Sequence, residues 1–116
     1  MKLRYIILKV KDIQRAKIFY SRLLNMEPTK EEPNRMVVFD RQNIKIGLYN
    51  PLADGDSLSD DDFGDNCLPA FGVEDITPEL KRVSAFAEII CQKKVDYHEW
   101  FLFKDSEDNV LEIHKI

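Results

Sequence analysis

The sequence predicts an α+β protein in which one βαβββ module is used twice. In residues 1–50, a strand-like run is followed by an amphipathic helix and three further strand-like runs. The same order returns in residues 67–116. Residues 51–66 lie between the two and hold six Asp, two Gly and one Pro with little apolar periodicity, which is typical of an exposed acidic linker. We therefore expect a single domain over residues 1–116 with two similar halves.

The first module begins with residues 4–10, which are rich in Tyr, Ile and Val and nearly continuous in hydrophobicity. Such a run predicts a strand in the centre of its sheet. Asp12 is a good helix N-cap, and apolar residues then recur at helical spacing up to Asn25, which can adopt the left-handed stop conformation. We expect a helix over residues 13–25, with Phe19 and Tyr20 on its inner face. Three strands should follow, a weak one near 27–32 and two at 36–40 and 44–49, the last two joined by a tight turn at residues 41–43.

The second module starts with a predicted strand at residues 68–73. Asp75 and Pro78 mark the start of a helix whose apolar stripe reaches Phe86. Ala87 and Ile90 also fit the helical period, so the helix could instead continue to Cys91, and periodicity alone leaves both alternatives open. Three more strands are predicted, at residues 88–92, 99–103 and 110–115.

Composition and charge exclude several classes of protein. No apolar run approaches the ~18–20 residues needed to span a bilayer, and the N-terminal segment lacks the features of a signal peptide, so we expect a cytoplasmic protein. The net charge of −4 and the scattered basic residues argue against nucleic acid as a partner. Two cysteines, Cys67 and Cys91, are too few for a disulfide framework, and we expect reduced structural thiols in apolar surroundings.

Four segments resemble motifs of the vicinal oxygen chelate superfamily, which includes glyoxalase I, bleomycin-resistance proteins and extradiol dioxygenases. Residues 10–26 (VKDIQRAKIFYSRLLNM) are similar to its first strand end and Ala-x-x-Phe-Tyr helix, with Asn25 at a usual Gly position. Residues 39–49 (FDRQNIKIGLY) resemble its third and fourth strands, and residues 71–76 (FGVEDI) the restart of the module. Residues 103–113 (FKDSEDNVLEI) resemble its closing Asp-Pro-Asp-Gly-Asn hairpin, with Ser106 for Pro and Asp108 for Gly.

The resemblance implies a half-open, eight-stranded mixed β cup with the helices on its outer face. Metal ligands in this family project from the first, fourth, fifth and eighth strands, which correspond here to Tyr5, Gly47, Leu68 and Glu112. Of these only Glu112 is a usual ligand, and a transition metal needs about three or four such groups. We therefore expect no metal and no other cofactor, and none of the family's metal-dependent chemistries.

Strand alternation places Tyr5 and Ile7 on one face of the first strand, and Val110, Glu112 and His114 on one face of the last. The resemblance implies that these faces meet in the cup. The predicted ligand-binding residues are Tyr5, Tyr49, Leu68, Trp100, Glu112 and His114, with Tyr49 and Trp100 as flat walls. The alternative interpretation is that Glu112 is an inherited carboxylate held by the Tyr5 hydroxyl, and that His114 is solvated near the C-terminus.

Two other groups of residues favour structure or surface over function. His98 lies near the start of the seventh strand and could reach the mouth of the cup, but a surface position at a strand edge is the commoner case. Asp54, Asp56 and the Asp run at 60–62 do not match the spacing of a calcium loop, so a solvated acidic loop is expected.

Three functions are consistent with these residues. The first is a metal-independent protein that binds a small organic molecule in the cup. The second is a lyase or isomerase in which Glu112 is the general base and Tyr5 donates to the developing oxyanion. The third is a regulatory or structural subunit with a filled cup. Because open cups in this family commonly pair across strand edges or share clefts, we also expect a homodimer.

Overall fold

The computed structural model describes residues 5–42, 44–55 and 67–116. The chain divides into two compact units, Met1–Gly64 and Asp65–Ile116, which correspond to the two predicted modules. Each unit contains one four-stranded mixed sheet and one α-helix, which confirms the α+β class and the repeated βαβββ order. That the two units form one domain remains a prediction. Residue 43 of the predicted turn and residues 56–66 of the acidic linker lie outside the described residues.

In the first unit the strands are arranged in the order β1-β4-β3-β2, with β1 parallel to β4 and the other pairs antiparallel. The prediction that the first strand is central is wrong for this sheet, since β1 stands at its end. Ile7 explains the error: it is apolar but 50% exposed, so an unbroken apolar run does not require cover on both faces. The elements are β1 (Tyr5–Lys9), α1 (Ile13–Leu24), β2 (Lys30–Glu32), β3 (Met36–Asp40), β4 (Lys45–Tyr49) and a 3₁₀ helix (Pro51–Asp54).

Local signals set both ends of α1. The Asp12 carboxylate accepts a hydrogen bond from the Arg15 backbone N–H at 3.0 Å, as an N-cap should. Asn25 follows the helix with φ +53° and donates its backbone N–H to the Ser21 carbonyl. On the inner stripe, the Tyr20 ring lies 6.5 Å from that of Phe39 on β3, and Phe19 and Tyr20 are both buried as predicted.

The second unit repeats this arrangement in the order β5-β8-β7-β6, with β5 parallel to β8. Its core contains Phe101, Phe103, Leu111 and Ile113, which alternate with half-exposed residues along β7 and β8. The elements are β5 (Ala70–Val73), α2 (Ile76–Ser84), β6 (Glu88–Val95), β7 (His98–Lys104) and β8 (Val110–Lys115).

The end of α2 settles the alternative that periodicity left open. Helix α2 ends at Ser84, with Ala85 as its C-cap in the right-handed region, so continuation to Cys91 is wrong. Ile90 matched the helical period only by chance, because it lies at a β-bulge where the β6–β7 register shifts between Ile89 and Cys91.

The β7–β8 connection is a loop organised by one buried carboxylate. Asp105 Oδ1 accepts the backbone N–H groups of Glu107 and Asn109, each at 2.8 Å, and Oδ2 accepts the Asn109 side-chain amide at 2.8 Å. All three residues are buried. Asp108, at the position where the family motif has Gly, has φ +64°. The motif residues therefore form a structural turn.

Two further expectations concern the cysteines and the membrane. Cys67 and Cys91 are both free, but Cys67 is exposed and Cys91 is only partly buried, so the apolar surroundings predicted for Cys67 are wrong. Cys67 precedes β5 and is not part of the core. The apolar residues that follow it, Leu68 and Pro69, give no sign of this exposure in the sequence. None of the helices described is long and apolar enough to cross a membrane.

Candidate functional site

Strand β8 brings two of the predicted site residues together. Glu112 and His114 are two residues apart, so their side chains leave the same face of the strand, while Leu111 and Ile113 are buried on the other. We call the face that carries Glu112 and His114 the far face of the second sheet. It holds most of the half-exposed residues of β7 and β8.

The two side chains are in direct contact. His114 Nδ1 lies 3.2 Å from Glu112 Oε1. The Glu112 side chain is 23% exposed and that of His114 is 38% exposed, so the pair is reached by solvent but is not fully hydrated. An ionised carboxylate can only accept a hydrogen bond, which makes Nδ1 the donor. The contact therefore leaves Nε2 as the ring nitrogen that faces away from Glu112.

The neighbouring strands determine what surrounds the pair. Trp100 on β7 is the register partner of His114, and Leu102 is the partner of Glu112, so both lie on the far face. On β5, Gly72 pairs with His114. A Cβ atom at Gly72 would lie 3.5 Å from His114 Nε2 and 2.5 Å from Ile116 Cγ2. The glycine thus leaves space for the Ile116 side chain and for Nε2.

Leu68 does not occupy the predicted strand position. Strand β5 begins at Ala70, so Leu68 precedes it by two residues and is 51% exposed. The residue of this strand that pairs with Glu112 is Ala70, and Pro69 accepts the backbone N–H of Glu112 at 2.9 Å. Proline cannot donate within a ladder, which is a reason for the strand to start after residue 69.

In the first unit, Tyr5 lies beside a cation. Lys45 is its register partner on β4, and Lys45 Nζ lies 5.5 Å from the centroid of the Tyr5 ring. The same ammonium is 3.5 Å from Asp40 Oδ2. Gly47 stands at one of the family's ligand positions. A Cβ atom added to it would lie 2.9 Å from Met36 Cε. Within this unit, Lys45 therefore contacts both Tyr5 and Asp40.

Tyr49 belongs to a polar network that the sequence analysis did not predict. Its hydroxyl donates to Asp54 Oδ2, and its ring lies 5.6 Å from the Arg35 guanidinium carbon. Arg35 Nε donates to Asp54 Oδ1 at 3.0 Å, and Arg35 also pairs with Glu32. The network joins the β2–β3 turn to the 3₁₀ helix. Asp54 is exposed, as expected for a solvated position, but it lies in the 3₁₀ helix and is paired with Arg35.

Charge pairing in this network shifts the ionisation of its members. The hydrogen bond from Arg35, and after it that from Tyr49, lowers the pKa of Asp54 below its ordinary value. The same guanidinium lowers the pKa of Glu32, and the two carboxylates together raise the pKa of Arg35. No sequence signal links Arg35 to Asp54, because they are 19 residues apart and meet only through the fold.

The residues present do not fit the transition metal that the resemblance implies. Of the four ligand positions carried over, Gly47 and Leu68 offer no donor side chain, and Glu112 already contacts His114. Within residues 5–42, 44–55 and 67–116, no group of three or more His, Cys, Asp or Glu side chains could hold a metal ion. Glu112 and His114 together supply fewer donors than such a centre needs.

Solved structures share this fold at low sequence identity. A lactoylglutathione lyase from Agrobacterium tumefaciens has a TM-score of 0.78 at 15% identity, covering 98% of this chain and 92% of that one. A glyoxalase/bleomycin resistance protein/dioxygenase family enzyme from Burkholderia phytofirmans PsJN has a TM-score of 0.79 at 20% identity, covering 100% and 99%. A glyoxalase-related enzyme from Fulvimarina pelagi has a TM-score of 0.79 at 14% identity, covering 100% and 88%.

At these identities the likeness concerns the fold and carries no activity over to this chain. No curated protein matches the sequence. The family model, in contrast, matches residues 2–113, which is nearly the whole chain. The match extends through both βαβββ modules as far as Ile113 in β8, and so includes Glu112. The chain therefore belongs to the glyoxalase/bleomycin resistance protein/dioxygenase superfamily.

Proposed function

We propose that this protein binds a small organic molecule, without a metal, at the far face of the second sheet. The observation that carries the proposal is the half-exposed Glu112–His114 pair. A polar pair that is partly withdrawn from water on a sheet face is a typical anchor of a ligand site, in which a few polar groups orient a mainly apolar ligand.

The residues around the pair favour a flat, partly apolar ligand. Trp100 lies across from His114, and Leu102 and Ala70 flank Glu112. An indole ring offers a large contact area at a small cost in conformational entropy. An aromatic ligand stacked on Trp100 would reach Glu112 and His114 with its polar substituents.

The carboxylate determines which substituents are favoured. Glu112 keeps Oε2 as an acceptor for a ligand donor, since the contact with His114 uses Oε1. A hydrogen bond to a charged group contributes about 1.5–3 kcal/mol, more than one between neutral groups. Amine-bearing or cationic aromatics should therefore bind better than carboxylic acids or phosphates. Tyr5, Tyr49 and Leu68 stay in the proposed binding set as predictions from the family resemblance.

Native mass spectrometry of freshly purified protein is the first test, because it reports a retained ligand, a metal and the oligomeric state together. A retained organic molecule supports the proposal. About one equivalent of zinc, nickel or manganese per chain in untagged protein would contradict the metal-free site.

Trp100 is the single tryptophan, so its fluorescence reports binding at this face directly. We expect benzylamine and phenethylamine to change the emission at lower concentration than benzoate and phenylacetate. Glu112→Gln should raise Kd for the amines by about tenfold, the loss of one charge-assisted hydrogen bond. Lys115→Gln is the matched control, since Lys115 is the next residue on β8 and is exposed. Equal affinity for amines and acids contradicts this site. A Kd for the amines that neither Glu112→Gln nor Tyr5→Phe changes also contradicts it.

We also propose that the protein is a homodimer. The support is the family resemblance and the presence of strands at the ends of both four-stranded sheets, where unpaired backbone groups favour association. Sedimentation analysis should show the dimer at tens of micromolar, roughly the range in which ordinary interfaces are occupied. Monomer alone in that range would refute it.

A further inference from the structure

A lysine on the far face of the second sheet lies diagonal to Glu112. We propose that the site takes aromatic α-amino acids as zwitterions: Glu112 binds the ammonium group, Lys104 binds the carboxylate, and Trp100 packs against the ring. This inference rests on the proposed binding site and narrows its ligand class, because the amines named above use only one charge. Lys104 is not among the binding residues predicted from the sequence.

The register of β7 and β8 determines what surrounds the Glu112 carboxylate. Leu102 on β7 is directly opposite Glu112. Trp100 and Lys104 stand two residues to either side of Leu102, so all three leave the far face, while the residues between them are buried on the other face. Diagonal neighbours in an antiparallel ladder are about 7–8 Å apart, within reach of long and aromatic side chains. Glu112 therefore has an indole ring on one diagonal and a lysine on the other.

Both charges are partly withdrawn from water. Lys104 is half-buried, and the Glu112 side chain is 23% exposed. The contact with His114 uses Oε1 of Glu112, which leaves Oε2 for an ammonium group. The register partners of Lys104 are Val110 and the exposed Glu88, and within residues 67–116 no ion pair joins Lys104 to a carboxylate. A ligand with one group of each sign can therefore form a charge-assisted hydrogen bond to both side chains at once.

The spacing of the strands selects Lys104 over Lys93, the other lysine of the far face. Lys93 is the register partner of Trp100 on β6 and is exposed. It lies two strands from Glu112, which is roughly 9.5 Å at the ordinary spacing of strands, whereas Lys104 lies only one strand away. The ammonium and carboxylate groups of an α-amino acid are attached to one carbon atom, so they bridge the nearer pair.

The effect of the ligand carboxylate depends on Lys104. Beside this lysine the carboxylate forms a charge-assisted hydrogen bond. Without the lysine, the same carboxylate loses part of its hydration with no partner and faces the like charge of Glu112. The carboxylate should therefore strengthen binding to the wild-type protein and weaken binding to a variant that lacks the ammonium group.

Three ligands of similar shape separate the two charges. They are L-phenylalanine, L-phenylalaninol, in which a hydroxyl group replaces the carboxylate, and hydrocinnamate, which lacks the amine. The fluorescence of Trp100 gives each Kd at neutral pH, where both amines are protonated. We expect L-phenylalanine to bind about tenfold more tightly than L-phenylalaninol, the contribution of one charge-assisted hydrogen bond. Hydrocinnamate should bind more weakly than either.

Variants of the two far-face lysines test the assignment. Lys104→Gln removes the ammonium group and nearly keeps the length of the side chain. It should raise Kd for L-phenylalanine by about tenfold. It should not raise Kd for L-phenylalaninol, and this unchanged binding also shows that the variant is folded. Lys93→Gln is the matched control and should change neither Kd. Glu112→Gln should raise Kd for both amines.

The outcomes separate this inference from the proposed function. If L-phenylalaninol binds and L-phenylalanine binds no better, the zwitterion inference is refuted and the amine-binding site stands. If the preference for L-phenylalanine survives Lys104→Gln, or is lost in Lys93→Gln, Lys104 is not the partner of the carboxylate and the inference is overturned. If L-phenylalaninol and the simpler amines all fail to bind, both the inference and the proposed function are refuted.

Discussion

The two units share a strand order but use their polar side chains differently. In the first unit, Arg35 binds two carboxylates and covers the Tyr49 ring, so the polar groups near the end of β4 satisfy one another and hold the 3₁₀ helix. In the second unit, the contact between Glu112 and His114 uses Oε1 and Nδ1. It leaves Oε2 and Nε2 for a further partner. A duplicated fold therefore does not duplicate the arrangement of its polar groups: those of the first unit pair with one another, and those of the second form the proposed binding site.

The last β-hairpin of each unit, β3–β4 in the first and β7–β8 in the second, provides the sharpest test of this comparison. Asp105→Ala should lower the free energy of unfolding by about 3 kcal/mol, because three buried donors lose their acceptor. Asp40→Ala in the first unit removes an exposed carboxylate whose pair with Lys45 is 3.5 Å long, and should cost about 0.5 kcal/mol. Urea denaturation measures both. Equal losses would mean that the second hairpin is no more dependent on its carboxylate than the first.

The two helix ends should respond differently to glycine. Asn25 is left-handed, so Asn25→Ala should destabilise the protein by about 1 kcal/mol while Asn25→Gly is close to neutral. Ala85 has φ −71° and ψ −20°, so Ala85→Gly should destabilise it by about 0.5–1 kcal/mol. Thermal unfolding of the three variants checks the contrast. Destabilisation by glycine at both positions would show that the two caps are not different in kind.

The smallest expected effect is the pH dependence of the Arg35 network. Because the folded pKa of Asp54 and of Glu32 is lowered, their pairing stabilises the protein above the unfolded values of 3.8 and 4.5 and is lost as pH falls through the folded values. Carboxyl titration by NMR should give a pKa for Asp54 below 3.8, and Arg35→Gln should raise that pKa. Arg82→Gln, which breaks a pair in the second unit, should leave Asp54 unchanged. Added salt should weaken the shift, since the groups are exposed.

Local signals explain what the sequence could predict. Asp12 and Asn25 set the ends of α1 through their own side chain and backbone, and the pattern around them was sufficient. Alternation along β8 was likewise enough to place Glu112 and His114 on one face. Their 3.2 Å contact was not predictable, because it depends on two rotamers.

Contacts between distant residues explain what was missed. The Arg35–Asp54 pair depends on where the chain returns after β4, and no residue pattern records that return. The end of α2 was ambiguous because Ile90 satisfies both a helical period and a position in a bulged strand. In both cases tertiary placement, and not local preference, decided the outcome.

The irregular strand β6 limits how copies of the molecule can join. It stands at the end of its sheet, carries a bulge at Ile90, and has lysines at positions 93 and 94. A bulge breaks the regular spacing of backbone donors and acceptors, and adjacent ammonium groups repel a second lysine-bearing strand. Strand β6 is therefore a poor template for the addition of a strand from another molecule, and growth of open-ended β assemblies from this edge is disfavoured. A dimer that pairs strand edges should use β1, β2 or β5.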